Sequence, residues 1–429
     1  TSNAWHNQFY SLVTTKIDEE IFKPLFPEGK KSGRPNASIR ILVAMSVLKE
    51  GFGCSDEDLF EKCEFDLLTR KALGMELLTD VTPSIDTYYL FRRRICEYQE
   101  RTGIDLMQLC FEQLAGKHVH LLKISGKCVR MDSKLIGSNI ARQSRYELIH
   151  ATLVKFLKTC TLTHLSPEQE ERAKEYLKED SSKTVYRSDS DTLQSNLARI
   201  GNFIMEMLAA FPATSPAHDL LQRLFDEQYV VMDGKAVLRD KKEVKADSLQ
   251  NPNDPDATYR AKNDQKVQGY VTNITETVEE GKPNIITSVQ VETAVFADCH
   301  FLQEAVENSE RVTDSTIEDL YADGAYQSPD NREFAKNHNA MQLKTGKMQG
   351  GCRWELIPHD EDGLTIREIA TGNTYEAVKA VTKQGSRKRW RIPWNNKTGW
   401  RYFEDKDIKA YQLRKQIESL PLEEQHKRN

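Results

Sequence analysis

The chain has 429 residues, of which 38% are hydrophobic and 29% charged, with a formal net charge of −5. This length fits two or three domains with a sizeable core, and no stretch approaches the roughly 18 apolar residues of a membrane helix. The longest apolar run, ILVAMSVL at 41–48, is flanked by Arg40 and Lys49. The acidic balance does not advertise a nucleic-acid partner, so any DNA-binding face must be local.

In chain order, residues 5–118 read as a helical domain. The first residues, TSNA, read as a cloning remnant, and no signal peptide is visible. Residues 36–53 carry an apolar helical stripe that stops at Gly51 and Gly53. Residues 55–68 start at Ser55 with Asp58 three positions on, a capping-box pattern. A third helix is predicted from Pro83 and Ser84 to Gly103, and a fourth over 104–116. Such a bundle can be packing alone. It can also be a helix-turn-helix variant in which some of Arg92, Arg93 and Arg94 contact DNA phosphates. Three consecutive arginines cannot share one face.

The character changes at GKCVRMDSKLIGSN (126–139), where alternation predicts a strand ending at Asp132. A charge-rich helical insertion follows over 141–253, including a solvated helix and loop at 166–182. Strands are predicted at 265–278 and 284–296, joined by the turn EEGKP, then a helix at 298–310. A short strand, IEDLYA (317–322), precedes Asp323. A helix at 328–338 and a strand at 340–345 complete the segment 254–345. Short strands and turns fill 346–404, and the tail 405–429 is helical and charged. The eight cysteines show no CxxC pair or Cys/His spacing and read as reduced core residues of a cytoplasmic protein. His300 and His359 are isolated and read as structural or surface residues.

Asp323 is followed at once by glycine, as in a hairpin turn. A hairpin needs a second strand, yet the next segment carries a helix start: Ser328 as N-cap, Pro329 at the first position and Asp330 in the first turn. Asp323 therefore sits at a strand end that leads into a helix, where functional carboxylates of α/β folds project. Asp132 ends a second predicted strand. Two carboxylates on neighbouring strand ends suit a hard divalent ion, which prefers oxygen ligands and can activate a hydroxyl for attack on phosphorus.

Four segments carry a family resemblance. RMDSKLIGSNIA (130–141), DPDATYRAKNDQKVQGYVTNITETV (254–278) and YADGAYQSPDN (321–331) resemble the DDE transposases of bacterial insertion sequences. GRPNASIRILVAMSVLKEGFGCSDEDLFEK (33–62) resembles the helical domain that precedes the catalytic domain in one branch of that family. The resemblance implies an α/β, RNase-H-like fold of mixed sheet and flanking helices, with a core at 124–140 and 254–345. It implies DNA cleavage and transfer at transposon ends with two Mg²⁺ ions, Mn²⁺ serving as a substitute, held by three acids. Asp132 matches the first acid and Asp323 the second. The partners implied are transposon-end and target DNA, with a homodimer on paired ends and a nucleoid-associated location.

The third acid, a glutamate on a helix behind a β-rich insertion, has no clear match. Glu418, Glu423 and Glu424 read as charges of a solvated helix. The expectation is therefore that the third acid lies beyond Asn429, leaving a truncated, weak or inactive transposase. The alternative is a non-catalytic DNA-binding remnant that inhibits the full-length enzyme.

The acid-free stretch 383–403 is the stronger DNA-binding candidate. It holds Arg387, Lys388, Arg389, Arg391 and Arg401 interleaved with Trp390, Trp394 and Trp400. Cations contact phosphates and aromatics stack on unpaired bases. The same pattern also describes a small β-subdomain whose tryptophans are its core. Tyr259, Arg260 and Lys262 form a second candidate, to steady DNA or orient the acids, or else a polar loop. Lys344, at the end of a central strand, is a further phosphate-contact candidate.

Overall fold

A computed structural model describes residues 3–26, 37–211, 215–262, 265–345, 353–359, 363–369, 371–380, 389–394 and 399–427. These residues form a mixed α/β protein with 15 α-helices and 13 strands in three sheets. In chain order the strands are β1 (Cys128–Gly137), β2 (Tyr229–Met232), β3 (Lys235–Leu238), β4 (Thr258–Lys262), β5 (Gln265–Thr277), β6 (Ile286–Thr293), β7 (Asp319–Ala322), β8 (Gln342–Thr345), β9 (Trp354–Pro358), β10 (Leu364–Glu368), β11 (Thr374–Ala380), β12 (Arg389–Trp394) and β13 (Gly399–Glu404). The chain divides into two compact units, one of residues 1–132, 274–288 and 302–429, the other of 133–273 and 289–301.

In the first unit the N-terminal bundle packs Leu42, Met45, Leu48, Leu59, Tyr88 and Phe91 into one core. Its helix Ile39–Phe52 ends at Gly53 in the left-handed region (φ 61°), as the glycine signal predicts. The predicted helix at 55–68 is two helices, Asp56–Phe65 and Leu67–Ala72. The first carries the expected capping box of Ser55 and Asp58. The break falls at Asp66, whose carboxylate accepts the amides of Leu68 and Thr69 and so starts the second helix.

Helix Leu106–Leu121 runs past the predicted end and packs against helix Leu302–Thr313. Arg311 donates to both oxygens of Glu112 at 3.0 and 2.8 Å. Between that helix and β1, Gly126 adopts φ +72° with its Cα against Thr313. A Cβ there would lie 2.5 Å from the threonine Cβ.

The main sheet has the order β4-β5-β1-β7-β8, with β6 pairing β5. β1 and β7 are parallel, as are β7 and β8. β1 and β5 run antiparallel: Ser138 donates to the Gln268 carbonyl at one end, and Val278 to that of Cys128 at the other. In the first unit Val129, Met131, Leu320 and Ala322 point to a buried face. Ser309 and Asn308 of helix Leu302–Thr313 there meet Thr287 (2.7 Å) and Ser288 (3.2 Å) of β6.

β9 to β13 form an antiparallel sheet in chain order. Trp354, Leu356, Ile366, Trp390, Ile392 and Phe403 form its core with Ile408 from helix Asp405–Glu418.

The second unit is mostly helical, with the β2–β3 hairpin and a core of Tyr146, Ile149, Phe156, Phe203, Ile204 and Leu224. The segment predicted as solvated, 166–182, contributes to it. Helix Pro167–Lys178 is amphipathic and buries Ala173 and Tyr176. The cysteines are not uniformly core. Cys63 and Cys110 are buried, and burial pushes their thiols up to about 12 and about 11, whereas Cys96 is exposed. No helix among the described residues is long and apolar enough to cross a membrane.

Candidate functional site

The strand carrying Asp132 does not end there. β1 continues for five more residues to Gly137, so Asp132 sits in mid-strand with an exposed side chain. Strand alternation puts it on the same face as Arg130 and opposite to Val129 and Met131. Asp323 does end its strand, one residue past β7. Its backbone stays extended (φ −72°, ψ 173°), and its Oδ1 accepts the Ala325 amide at 2.7 Å, capping the 3₁₀ turn Gly324–Tyr326. The Asp-Gly pair is thus neither a hairpin nor a simple strand end. It is a capped turn leading into helix Pro329–Asn337, whose N-cap is Ser328 as expected.

The β1–β7 ladder pairs Cys128 with Asp319, Val129 with Leu320 and Arg130 with Tyr321. The offset between paired residues is 191, the same number that separates Asp132 from Asp323. Carried two residues further, one past the last residue of β7, this register would bring the two aspartates to paired positions on neighbouring strands. Three anchors fix the turn that carries Asp323. Tyr326 is fully buried, Asn331 Nδ2 donates to the Tyr326 carbonyl at 2.8 Å, and Gln327 Nε2 donates to Thr345 Oγ1 at 3.1 Å.

The same sheet face carries residues that the sequence reading missed. Arg130 pairs with Glu276 of β5. Asp319 and Tyr321 of β7 meet Lys344 of β8, whose Nζ lies 3.0 Å from Asp319 Oδ2 and 3.3 Å from the Tyr321 hydroxyl. Burial pulls the Lys344 pKa down, but these two partners outweigh it and raise it. Its ammonium is therefore held toward Asp319, four residues back from Asp323. Counting by twos from Asp132 and Asp323 would have reached Arg130, Tyr321 and Asp319.

An exposed mid-strand carboxylate and a turn-capping one, both offering only oxygen donors, are of the type that a hard divalent cation takes. Among the described residues no group of three His, Cys, Asp or Glu side chains is gathered to hold a metal. Glu418 is engaged by Arg414 at 3.1 Å and Lys415 at 3.4 Å on its own helix. Glu424 is half-buried on helix Leu422–Lys427, and the side chain of Glu423 lies outside the described residues.

The expected DNA-binding residues divide. On β12 and β13 the ladder pairs Trp390 with Phe403, Arg391 with Tyr402 and Pro393 with Trp400. Trp390 is core. Trp400 and Tyr402 are about half exposed on the opposite face. There the Arg391 guanidinium lies 4.2 Å from the Trp400 ring centre and that of Arg389 lies 5.5 Å from Tyr402. Arg389 also binds Glu404 at 2.8 Å, and Arg401 is exposed. The tryptophan-core reading thus holds for Trp390, while the opposite face of the sheet presents Trp400 and Tyr402 with Arg389 and Arg391. Arg387, Lys388 and the side chain of Trp394 lie outside the described residues.

Arg92, Arg93 and Arg94 point three ways. Arg92 lies 3.7 Å from Asp56, Arg93 is 68% exposed beside Glu97, and Arg94 stacks over Phe26. On β4, Arg260 donates to the carbonyls of Ala294 and Phe296 and to buried Asp298 at 3.0–3.3 Å. It ties down the 294–298 segment. Tyr259 is half-buried beside it, and the Lys262 side chain lies outside the described residues.

Comparison with known proteins adds one finding. Residues 3–94 match the family model of a transposase domain, DUF772. No curated protein and no solved structure matches the chain. The match spans the bundle through Arg94 and ties this part of the chain to a transposase family.

Proposed function

We propose that the chain is a DDE-type transposase acting on insertion-sequence DNA through an RNase-H-like core, with Asp132 and Asp323 as two of its catalytic acids. The observation that carries this reading is the common offset of the β1–β7 ladder and the two aspartates, joined to the transposase-domain match at 3–94. The sheet order suits it as well, because parallel β1 and β7 lie at the centre with antiparallel β5 and β6 to one side.

In this reading the two carboxylates hold Mg²⁺, or Mn²⁺ as a substitute. The cation would stabilise charge on a phosphate and activate a hydroxyl for in-line attack. Two acids supply ligands for one ion, and a second ion needs a third carboxylate. Asp323 is kept in position by its cap bond and by the Tyr326 anchor, so the site does not depend on the ion for its shape. Arg389, Arg391 and Trp400, on one face of the sheet, form the DNA-facing surface, with cations for the backbone and an aromatic face for an unpaired base; Arg401, paired with buried Ile392, lies on the other face. Arg93 is the N-terminal arginine most open to phosphate.

The test is Mn²⁺ binding followed by electron paramagnetic resonance of the free ion. Wild type is expected to take up Mn²⁺, and Asp132→Asn and Asp323→Asn are each expected to lose that site while melting as wild type does. Undiminished uptake by both variants would overturn the assignment.

A further inference from the structure

We infer that Arg130, Tyr321 and Lys344 form a cross-strand row that binds a backbone phosphate of the DNA and so positions the strand for Asp132 and Asp323. The inference rests on the proposed role of those two aspartates in DNA chemistry and adds the residues that would seat the strand beside them.

Two ladders set the row. Arg130 pairs with Tyr321 across β1 and β7, and Tyr321 pairs with Lys344 across β7 and β8. Neighbouring strands lie about 4.8 Å apart, so the two cations flank one tyrosine at positions roughly 10 Å apart. Glu276 of β5 holds Arg130 at one end of the row, and Asp319 of β7 lies 3.0 Å from Lys344 Nζ at the other. Arg130 and Tyr321 each precede one of the two aspartates by two residues. Two residues of extended chain span about 7 Å, a step comparable to that between adjacent phosphates of one strand.

Each member of the row keeps a donor to spare. A guanidinium carries five N–H donors. Glu276 meets Nε and Nη2 of Arg130, and Nη1 has no partner among the described residues. An ammonium carries three donors, and Asp319 and the Tyr321 hydroxyl, at 3.3 Å, take two of those on Lys344. The hydroxyl accepts from Lys344, which leaves its own proton to donate. The Arg130 side chain is 55% exposed, and ion pairs so open to water hold their partners weakly, so a phosphate can compete for the cation. A phosphodiester brought to two carboxylates meets like charge, and cations one step away offset that repulsion.

Fluorescence anisotropy of a labelled duplex of about 30 base pairs, in EDTA and at salt from about 50 to 200 mM, tests the row apart from any metal. Arg130→Gln and Lys344→Gln are each expected to weaken binding about 10-fold and to lower the salt slope by about one phosphate contact. Tyr321→Phe should weaken binding a few-fold with the slope unchanged, because it removes no charge. Glu276→Gln breaks the same ion pair as Arg130→Gln but frees the guanidinium, so it should bind at least as tightly as wild type. A pair that serves structure alone would lose binding in both variants. Thermal melts of all four check folding, and two cation variants guard against one failing to fold. Mn²⁺ uptake by Arg130→Gln and Lys344→Gln should match wild type, so failure of the row and failure of the acid assignment are read in separate assays. No binding by wild type at about 50 mM salt, unchanged binding in both cation variants, or a Glu276→Gln variant as weak as Arg130→Gln would overturn the inference.

Discussion

Under the proposed function, aromatic residues of the basic subdomain hold two jobs, core and stacking face, and replacing Trp400 with alanine separates them. Trp400 is 48% exposed and carries Arg391 at 4.2 Å, whereas Trp390 on the neighbouring strand is 4% exposed. Losing a stacking face on an unpaired base costs about 1–3 kcal/mol, so Trp400→Ala should weaken binding to a duplex with an unpaired end about 5- to 150-fold. The fold loses the Arg391 contact, about 0.5–1 kcal/mol at an exposed site, and part of the half-buried indole's packing beside Pro393, less than the loss at Trp390. Trp390→Ala instead opens a cavity against Phe403 and Trp354 and should cost about 3–5 kcal/mol of stability. Fluorescence anisotropy at salt concentrations from about 50 to 200 mM, beside a thermal melt of each variant, reads both effects. Trp400→Ala should leave the salt dependence unchanged, because it removes no charge. Arg391→Gln should lower the slope by about one phosphate contact. Should Trp400→Ala bind as tightly as wild type and melt as low as Trp390→Ala, the stacking face is merely part of the core and the reasoning fails.

Two further predictions concern the scaffold. Gly126→Ala forces a side chain into left-handed backbone, about 1–2 kcal/mol, and against Thr313, about 1–3 kcal/mol. It should lower stability by about 2–5 kcal/mol in urea unfolding, and a wild-type midpoint would show that this junction yields. In the second unit, burial lowers the His150 pKa, against the opposing pull of Glu179 and the Tyr176 carbonyl. The unfolded chain then takes up a proton that the folded one resists. Stability held above about pH 6.5 falls as the pH drops toward the depressed folded value. His150→Gln should flatten that part of the urea midpoint against pH, and an identical slope in the variant would assign the loss to other groups.

Much of this architecture was legible because its signals are local. Ser55 with Asp58, Gly53 in the left-handed region, and Ser328 with Pro329 each act within one turn, and each falls where the chain predicts. The errors arise where an element's end depends on a distant partner. The β1 strand was predicted to stop at Asp132, yet it continues because β5 supplies hydrogen bonds as far as Gln268. The helix at 166–182 looked solvated because its charges are obvious, while its buried Ala173 and Tyr176 need the helices they pack on. Tryptophan spacing could not assign Trp390 and Trp400, since which face is covered depends on helix Asp405–Glu418.

The acidic pair shows how far a single number can travel. A separation of 191 residues looks like an insertion length and nothing more. Set against the β1–β7 ladder it becomes a geometric statement, because parallel strands pair residues at one constant offset and this pair shares it. Sequence alone could select the two aspartates but not the register, which is fixed by which apolar residues reach the buried face. A slip of one residue would turn Asp132 into that face and bring Met131 out. The core side chains Val129, Met131, Leu320 and Ala322 therefore hold the candidate site in register as firmly as any residue within it. A substitution that alters their alternation should abolish Mn²⁺ uptake with both carboxylates still present.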